Sequence, residues 1–223
     1  MKIAIIGAMD QEIGIFRSLI EGIREEVVLG KVFYIGMLHG KDVVLTQSGI
    51  GKTNAAAATQ TVLGYFGATH VINSGVAGAI DADLIPGDVV VSTDLVYHDV
   101  NVTGFGHPIG KIPGTSSAFF TADPTMLELA KSQDVHAGRI ATGDQFISDI
   151  QTKDWIKEQF APLCVEMEGA AIAHVCTMSK RPFVVIRAIS DTADGNAEEA
   201  FTGNLEKGVA RATTITEHII QSL

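Results

Sequence analysis

Residues 2–12 read KIAIIGAMDQE, an apolar run from Ile3 to Ile6, then Gly7, then the polar group Asp10, Gln11 and Glu12. A short apolar run closed by glycine reads as a strand buried on both faces, as in parallel sheets, and the acids after it read as a first helical turn. Two other stretches repeat the pattern. Residues 163–168 run LCVEME and residues 182–191 run PFVVIRAISD, so Glu168 and Asp191, like Glu12, stand just past a buried strand. In open α/β sheets ligands bind beyond the carboxyl ends of the parallel strands, and acids delivered there by separate strands can converge on one small molecule. Converging carboxylates suit proton transfer or the stabilisation of a cation.

Outward from these stretches, Val- and Ile-rich runs alternate with helical patterns, the signature of βα units on a mostly parallel sheet. The patterns predict strands over residues 2–7, 32–38, 42–47, 69–73, 88–96, 139–142, 164–167 and 182–188. Helices are expected over 11–21, 53–66, 124–131, 152–159, 169–178 and 204–222. Residues 31–47 read as a hairpin turning at His39-Gly40, and residues 101–117 as a long loop of the kind that serves as a lid or interface. At 223 residues the chain is expected to form one α/β domain over 1–223, with no linker.

Charge and composition exclude several classes. A net charge of −10 without clustered Lys or Arg argues against nucleic acid, whose phosphates need a basic surface. The start of the chain lacks a signal peptide's apolar stretch and carries Asp10, and apolar runs break well short of the roughly 18 residues a membrane span requires. A cytoplasmic protein with no membrane partner is expected. The two cysteines, Cys164 and Cys176, fall in buried segments and read as reduced core thiols. Seven scattered histidines form no ligand cluster, so no metal site is expected. His98 beside Asp99 reads as a surface or loop histidine.

One glycine-rich turn approaches two nucleotide-binding motifs and matches neither. Residues 47–53, QSGIGKT, end like a phosphate-binding loop, but the first required glycine is Thr46. Read as a dinucleotide fingerprint, the third glycine is Asn54. What remains is a turn where backbone can approach a ligand, or a plain strand-to-helix turn. Residues 73–78, NSGVAG, read as a second small-residue turn, where Ala77 and Gly78 could let a bulky ligand lie against the sheet end; tight packing is the alternative.

Each acid has an ordinary explanation to overcome. Glu12 suits a helix's first turn through the helix dipole alone. Glu166 and Glu168 lie two apart on extended chain and share a face, with Met167 opposite, and ionised groups are seldom buried without partners. Arg187 interrupts the apolar run that leads to Ser190 and Asp191.

In order along the chain, Gly7-Ala8-Met9 with Glu12, Ser48-Gly49-Ile50-Gly51-Lys52, Gly75-Val76-Ala77-Gly78, Tyr97-His98-Asp99, Gly143-Asp144-x-Phe146-Ile147, Val165-Glu166-Met167-Glu168 and Arg187-Ala188-Ile189-Ser190-Asp191 resemble one family. It is the 5'-methylthioadenosine/S-adenosylhomocysteine nucleosidases of the nucleoside phosphorylase superfamily. The resemblance implies a single-domain, three-layer α/β sandwich with a central mixed, partly barrel-like sheet, a homodimer and no cofactor. It implies hydrolysis of the N-glycosidic bond of an adenine thionucleoside, releasing adenine and a thioribose, in methionine salvage and the recycling of S-adenosylmethionine by-products.

The same resemblance implies residue roles. Asp191, helped by Ser190, would be the general acid at adenine N7, and Glu12 would deprotonate the attacking water, which Arg187 helps to hold. Glu168 would bind the ribose hydroxyls, Met167 would pack on the ribose, and the neighbouring Glu166, Ala77 and Gly78 would belong to the substrate site. Phe146 would stack on adenine and the backbone of Ile147 would read its edge. Met9, Ile50 and Phe201 would line the slot for the 5' thio group. Val102, Phe105 and Pro113, on the long loop, look similar to residues that the family lends to a neighbouring subunit's site. Val76 departs from members that carry Ser there.

Alternatives within reach are a purine nucleoside phosphorylase, an aminofutalosine nucleosidase, a non-catalytic nucleoside-binding protein on the same fold, and, weakened by Asn54, a dinucleotide-dependent oxidoreductase. Phosphorylases of the superfamily carry an arginine after the first strand. Here that place holds residues 7–12, GAMDQE, where Glu12 would repel a phosphate dianion.

Overall fold

The computed structural model describes residues 1–194 and 197–223. The chain opens with β1 (Lys2–Gly7), α1 (Asp10–Leu19), β2 (Glu21–Val28), β3 (Lys31–Leu38), β4 (Lys41–Gln47) and α2 (Lys52–Gly64). Next come β5 (His70–Ala79), β6 (Val89–Tyr97), a single 3-10 turn at Thr103–Phe105, β7 (Phe120–Thr121), α3 (Pro124–Lys131) and β8 (His136–Thr142). It closes with α4 (Ile150–Phe160), β9 (Cys164–Glu166), α5 (Gly169–Met178), β10 (Phe183–Asp191) and α6 (Ala197–Ser222).

These strands form one mixed sheet in the order β10-β6-β8-β9-β5-β1-β4-β3-β2, and β10 also pairs with β5. That extra pairing closes β5, β10, β6, β8 and β9 into a ring, the expected partly barrel-like core, from which β1, β4, β3 and β2 extend as an open wing. The register carries the acids. β1 and β10 both run parallel to β5, so the segments that follow Gly7 and Ile189 leave the sheet on the same side.

The alternation within β1 shows why both of its faces are apolar. Ile3 and Ile5 pack with Ile13 and Phe16 of α1, Met126 of α3 and Ile215 and Ile219 of α6. Ala4 and Ile6 face Ala55 and Val62 of α2 and Ala170 to Ala173 of α5. A third cluster seats Ile156 and Phe160 of α4 on Val96, Ala141 and Val165. Helices therefore cover both faces of the sheet, and each fully buried Ile or Phe contributes roughly 1.5–3 kcal/mol of transfer free energy.

Four sequence expectations change. The helix predicted over 11–21 ends at Leu19, and residues 21–28 form a strand that the pattern did not reveal. β2 pairs only with β3 and is mostly exposed, so it has no apolar stripe; Arg24, Glu25 and Glu26 are the charges that keep an edge strand from pairing with other chains. The NSGVAG stretch at 73–78 is no turn: it is the buried second half of β5. Its small residues answer a packing demand, since a β-carbon at Gly75 would collide with the Arg187 guanidinium and the Glu12 carboxylate, and one at Gly78 would lie 2.7 Å from Asp191 Oδ1. Finally, β10 runs on to Asp191 and α6 begins at Ala197 instead of 204, which brings Phe201 onto a helix.

Candidate active site

One cavity collects the strand ends. Its walls come from the turn after β1 (Ala8, Met9, Glu12), the end of β5 (Val76, Ala77, Gly78) and the β9–α5 junction (Val165, Glu166, Met167, Glu168). Ser190 and Asp191 of β10, Gln145, Phe146 and Ile147 after β8, Ile50 before α2 and Phe201 of α6 complete it.

Glu12 sits in the first turn of α1, where its carboxylate bends back to the helix start. Oε2 accepts from the backbone N–H of Ala8 at 2.6 Å and of Met9 at 3.0 Å, and Oε1 accepts from the N–H of Val76 at 3.1 Å. Arg187 Nη1 lies 4.0 Å from Oε1. Burial pushes its pKa above the ordinary carboxyl value, while Arg187 and the backbone donors pull it back.

Arg187 is buried at 1% exposure on β10 and anchors three acids at once. Nη2 donates to Glu166 Oε2 and to Asn73 Oδ1, and lies 3.5 Å from Glu168 Oε2. Glu166 is fully engaged within the protein: Oε2 also accepts from the N–H of Glu168 at 2.9 Å and of Gly169 at 2.7 Å, and Oε1 accepts from the Thr142 hydroxyl. Its oxygens therefore hold the β9–α5 junction, although the residue borders the cavity.

Glu168 takes the N–H of Gly51, at the start of α2, on Oε1 at 2.8 Å. Burial pushes its carboxyl up to about 7; Glu166 and Glu12 add to the rise, and Arg187 and the Gly51 N–H oppose it.

Asp191 is set apart. Its Oδ2 accepts from the Ser190 hydroxyl and its Oδ1 from the N–H of Ala193, both at 2.8 Å, and no ion pair reaches it among the described residues. Burial raises its pKa, against the pull of those two hydrogen bonds. The Asp191 carboxyl lies over Gly78, and the Glu12 carboxylate bonds the N–H of Val76 beside Gly75. Two to three residues along β5, at about 3.3 Å each, separate those contacts, on the order of 7–10 Å along the strand.

Glu12, Glu168, Asp191, Ser190, Met9, Ile50, Ala77, Gly78, Phe146, Ile147, Glu166, Met167 and Phe201 all border this one cavity. Phe146 and Phe201 meet edge to face at 6.1 Å between ring centres. Val102, Phe105 and Pro113 do not border it; Phe105 is 85% exposed, and Pro113 lines a separate groove with Phe119, Phe120, His174 and Met178. His98 is buried, not a surface residue, because Gly143 leaves it room directly past the end of β6. The sequence reading missed the organising roles of Asn73 and Thr142. Asn73, a polar residue closing an apolar strand run, was the available signal.

No lysine, arginine or histidine lines the cavity among the described residues. Nor do the described residues contain a cluster of His, Cys, Asp and Glu arranged for a metal, or a helix long and apolar enough to cross a membrane.

Residues 2–221 match the phosphorylase superfamily. The chain is 43% identical to the 5'-methylthioadenosine/S-adenosylhomocysteine nucleosidase of Geobacillus sp. (strain WCH70), over 100% of this chain and 99% of that one. A solved structure of the Neisseria meningitidis 5'-methylthioadenosine/S-adenosylhomocysteine nucleosidase in complex with methylthio-immucillin-A superposes with a TM-score of 0.97 at 39% identity, over 100% and 99% of the two chains. The futalosine hydrolase of Helicobacter pylori is also similar, with a TM-score of 0.96 at 35% identity over 100% and 98%.

Proposed function

Since this chain belongs to the phosphorylase superfamily, among its 5'-methylthioadenosine/S-adenosylhomocysteine nucleosidases, and is thus an N-glycosyl hydrolase, we propose that it splits these two nucleosides with Asp191 as general acid and Glu12 as general base. The observation that supports the assignment is that Glu12 and Asp191 border one cavity, the first beside Arg187 and the second without an ion pair among the described residues.

The purine lies against Phe146, with Asp191 at its N7. Burial raises the pKa of the Asp191 carboxyl, which has no ion pair among the described residues, and passing its proton to N7 turns adenine into a neutral leaving group. As the bond to C1' stretches, positive charge grows on the ribose. Glu168, beside Met167, faces that charge and the ribose hydroxyls, so it stabilises the transition state more than the neutral substrate. Glu12 takes a proton from water on the opposite face. Three N–H donors and Arg187 favour its ionised form despite burial. Arg187, whose Nη2 is bound to Glu166 and Asn73 and whose Nη1 lies 4.0 Å from Glu12 Oε1, positions the acids and helps Glu12 to hold the water. Met9, Ile50 and Phe201 offer an apolar slot for the thioether. The products are adenine and the thioribose, which would return the by-products of S-adenosylmethionine use to methionine salvage.

Water is favoured over phosphate as the nucleophile because the cavity walls offer no cation for a dianion and do offer Glu12. The test is adenine release from methylthioadenosine by purified protein in phosphate-free buffer, with aminofutalosine in parallel. Turnover that requires phosphate, or aminofutalosine turned over while methylthioadenosine is not, would overturn the assignment. A homodimer, with residues 101–117 reaching a partner's site, is proposed on the family's pattern, and sedimentation of the purified protein tests it.

A further inference from the structure

We propose that the Lys52–Asp99 ion pair, closed into a ring by Asp144, is a positioning element that fixes the separation between the ribose-holding acid and the base-stacking segment. The inference rests on the nucleosidase reading for what the two halves hold. None of the three residues lines the cavity.

The problem they solve lies in the backbone. Phe146 and Ile147 ride on residues 143–149, a stretch between β8 and α4 without helix or strand. Asp149 anchors its far end by capping α4 at the N–H of Thr152, 2.8 Å away. On the near side, the N–H of Asp144 donates to Asp99 Oδ2 at 2.9 Å, and Asp144 Oδ1 accepts from the N–H of Lys52 at 2.8 Å. Lys52 then reaches back across the Tyr97 ring, 5.4 Å from its centre, to donate to the same Asp99 Oδ2 at 2.6 Å. Three elements, the start of α2 and the ends of β6 and β8, are thereby tied in a closed circuit.

The residue before Lys52 completes the path to the sugar side. Gly51 donates its N–H to Glu168 Oε1, so consecutive amides at the start of α2 hold the ribose acid and the base segment. The positive end of the helix dipole suits both carboxylates. The pair is largely withdrawn from water, with side chains 22% and 17% exposed, so salt screens it less than a surface pair. Burial raises the pKa of Asp99, but Lys52 and the Asp144 N–H outweigh it and hold the carboxyl below its ordinary value. Asp99 is therefore a carboxylate at neutral pH, as the tie requires. Misplacement by about 1 Å at a reacting centre costs on the order of a hundredfold in rate, which gives such a tie its leverage.

Lys52→Met and Asp99→Asn test it, with Lys52→Arg as the conservative variant. Expected is a KM for methylthioadenosine raised about tenfold or more, with inhibition by free adenine changed less than about threefold, because one half alone does not sense the separation. Lys52→Arg should recover most of the loss. An unchanged KM with only a lowered melting temperature would overturn the proposal, as would adenine weakened as much as the nucleoside. Amide exchange at residues 144–147 separates this failure from failure of the nucleosidase reading. If the wild-type protein does not hydrolyse the nucleoside, faster exchange in both charge-removing variants still supports the tie, and equal exchange refutes it.

Discussion

The two sides of the cavity, assigned above to the sugar and to the base, hold the same functional group in different surroundings. On the sugar side Glu12, Glu166 and Glu168 gather around a buried guanidinium, and their oxygens accept from backbone N–H groups, Arg187 and a hydroxyl. On the base side Asp191 has a hydroxyl, one N–H and no ion pair among the described residues. Burial raises the pKa of Glu12 and of Asp191 alike. At Glu12 Arg187 and three N–H donors oppose that rise; at Asp191 the Ala193 N–H, the Ser190 hydroxyl and the charge of Lys153 oppose it. On the proposed mechanism these different surroundings make Glu12 the proton acceptor and Asp191 the proton donor.

The harshest way to break the contrast is to remove the donor. Asp191→Asn keeps the shape and loses the proton, so adenine release should fall by roughly 10²–10⁴ in kcat, the usual share of a general acid, with KM within about threefold. A loss smaller than tenfold would remove Asp191 from the mechanism. Removing the cation attacks the other side. Arg187→Met strands Glu166, Glu168 and Glu12 without their counter-ion, and breaking a buried pair of this kind costs about 3–5 kcal/mol, readable in denaturant unfolding.

The pH profile of kcat/KM sharpens the contrast without mutation. The proposed mechanism needs Glu12 ionised and Asp191 protonated, so activity should fall on the acid side as Glu12 gains its proton and on the alkaline side as Asp191 loses its own. Both pKa values are raised, so both limbs lie above the ordinary carboxyl values. A profile without an alkaline limb would show that Asp191 donates no proton.

The smallest effect concerns Glu168, whose carboxyl titrates near 7 when folded and near 4.5 otherwise. A raised folded value means that the native state binds the proton more tightly. The group's contribution to stability is therefore present below 4.5 and lost as pH rises through about 7. Glu168→Gln should remove that loss, raising stability above pH 7 by on the order of 1–3 kcal/mol while activity falls, and flattening the dependence of melting temperature on pH. A melting temperature lowered at pH 8 would refute the assignment of strain to this carboxylate.

Much of this arrangement was legible in the sequence. The apolar runs ending at Gly7, Val165 and Ile189 marked strands buried on both faces, and the acids after them marked the strand ends that meet at the cavity. Periods of two and 3.6 residues survive in one dimension because each element must face its own core. β2 left no such trace, since its exposed, charged residues answer to solvent and to β3 alone. The NSGVAG stretch misled because small residues serve turns and close packing equally.

By itself the sequence determined the fold class and the set of acids. Tertiary structure alone decided which acids share a cation. That depends on Arg187 lying at β5 opposite Gly75, near Glu12 and away from Asp191, a matter of distances across strands remote in sequence. Charge interactions and desolvation vary with spatial separation and burial, and neither quantity is written in the order of the residues.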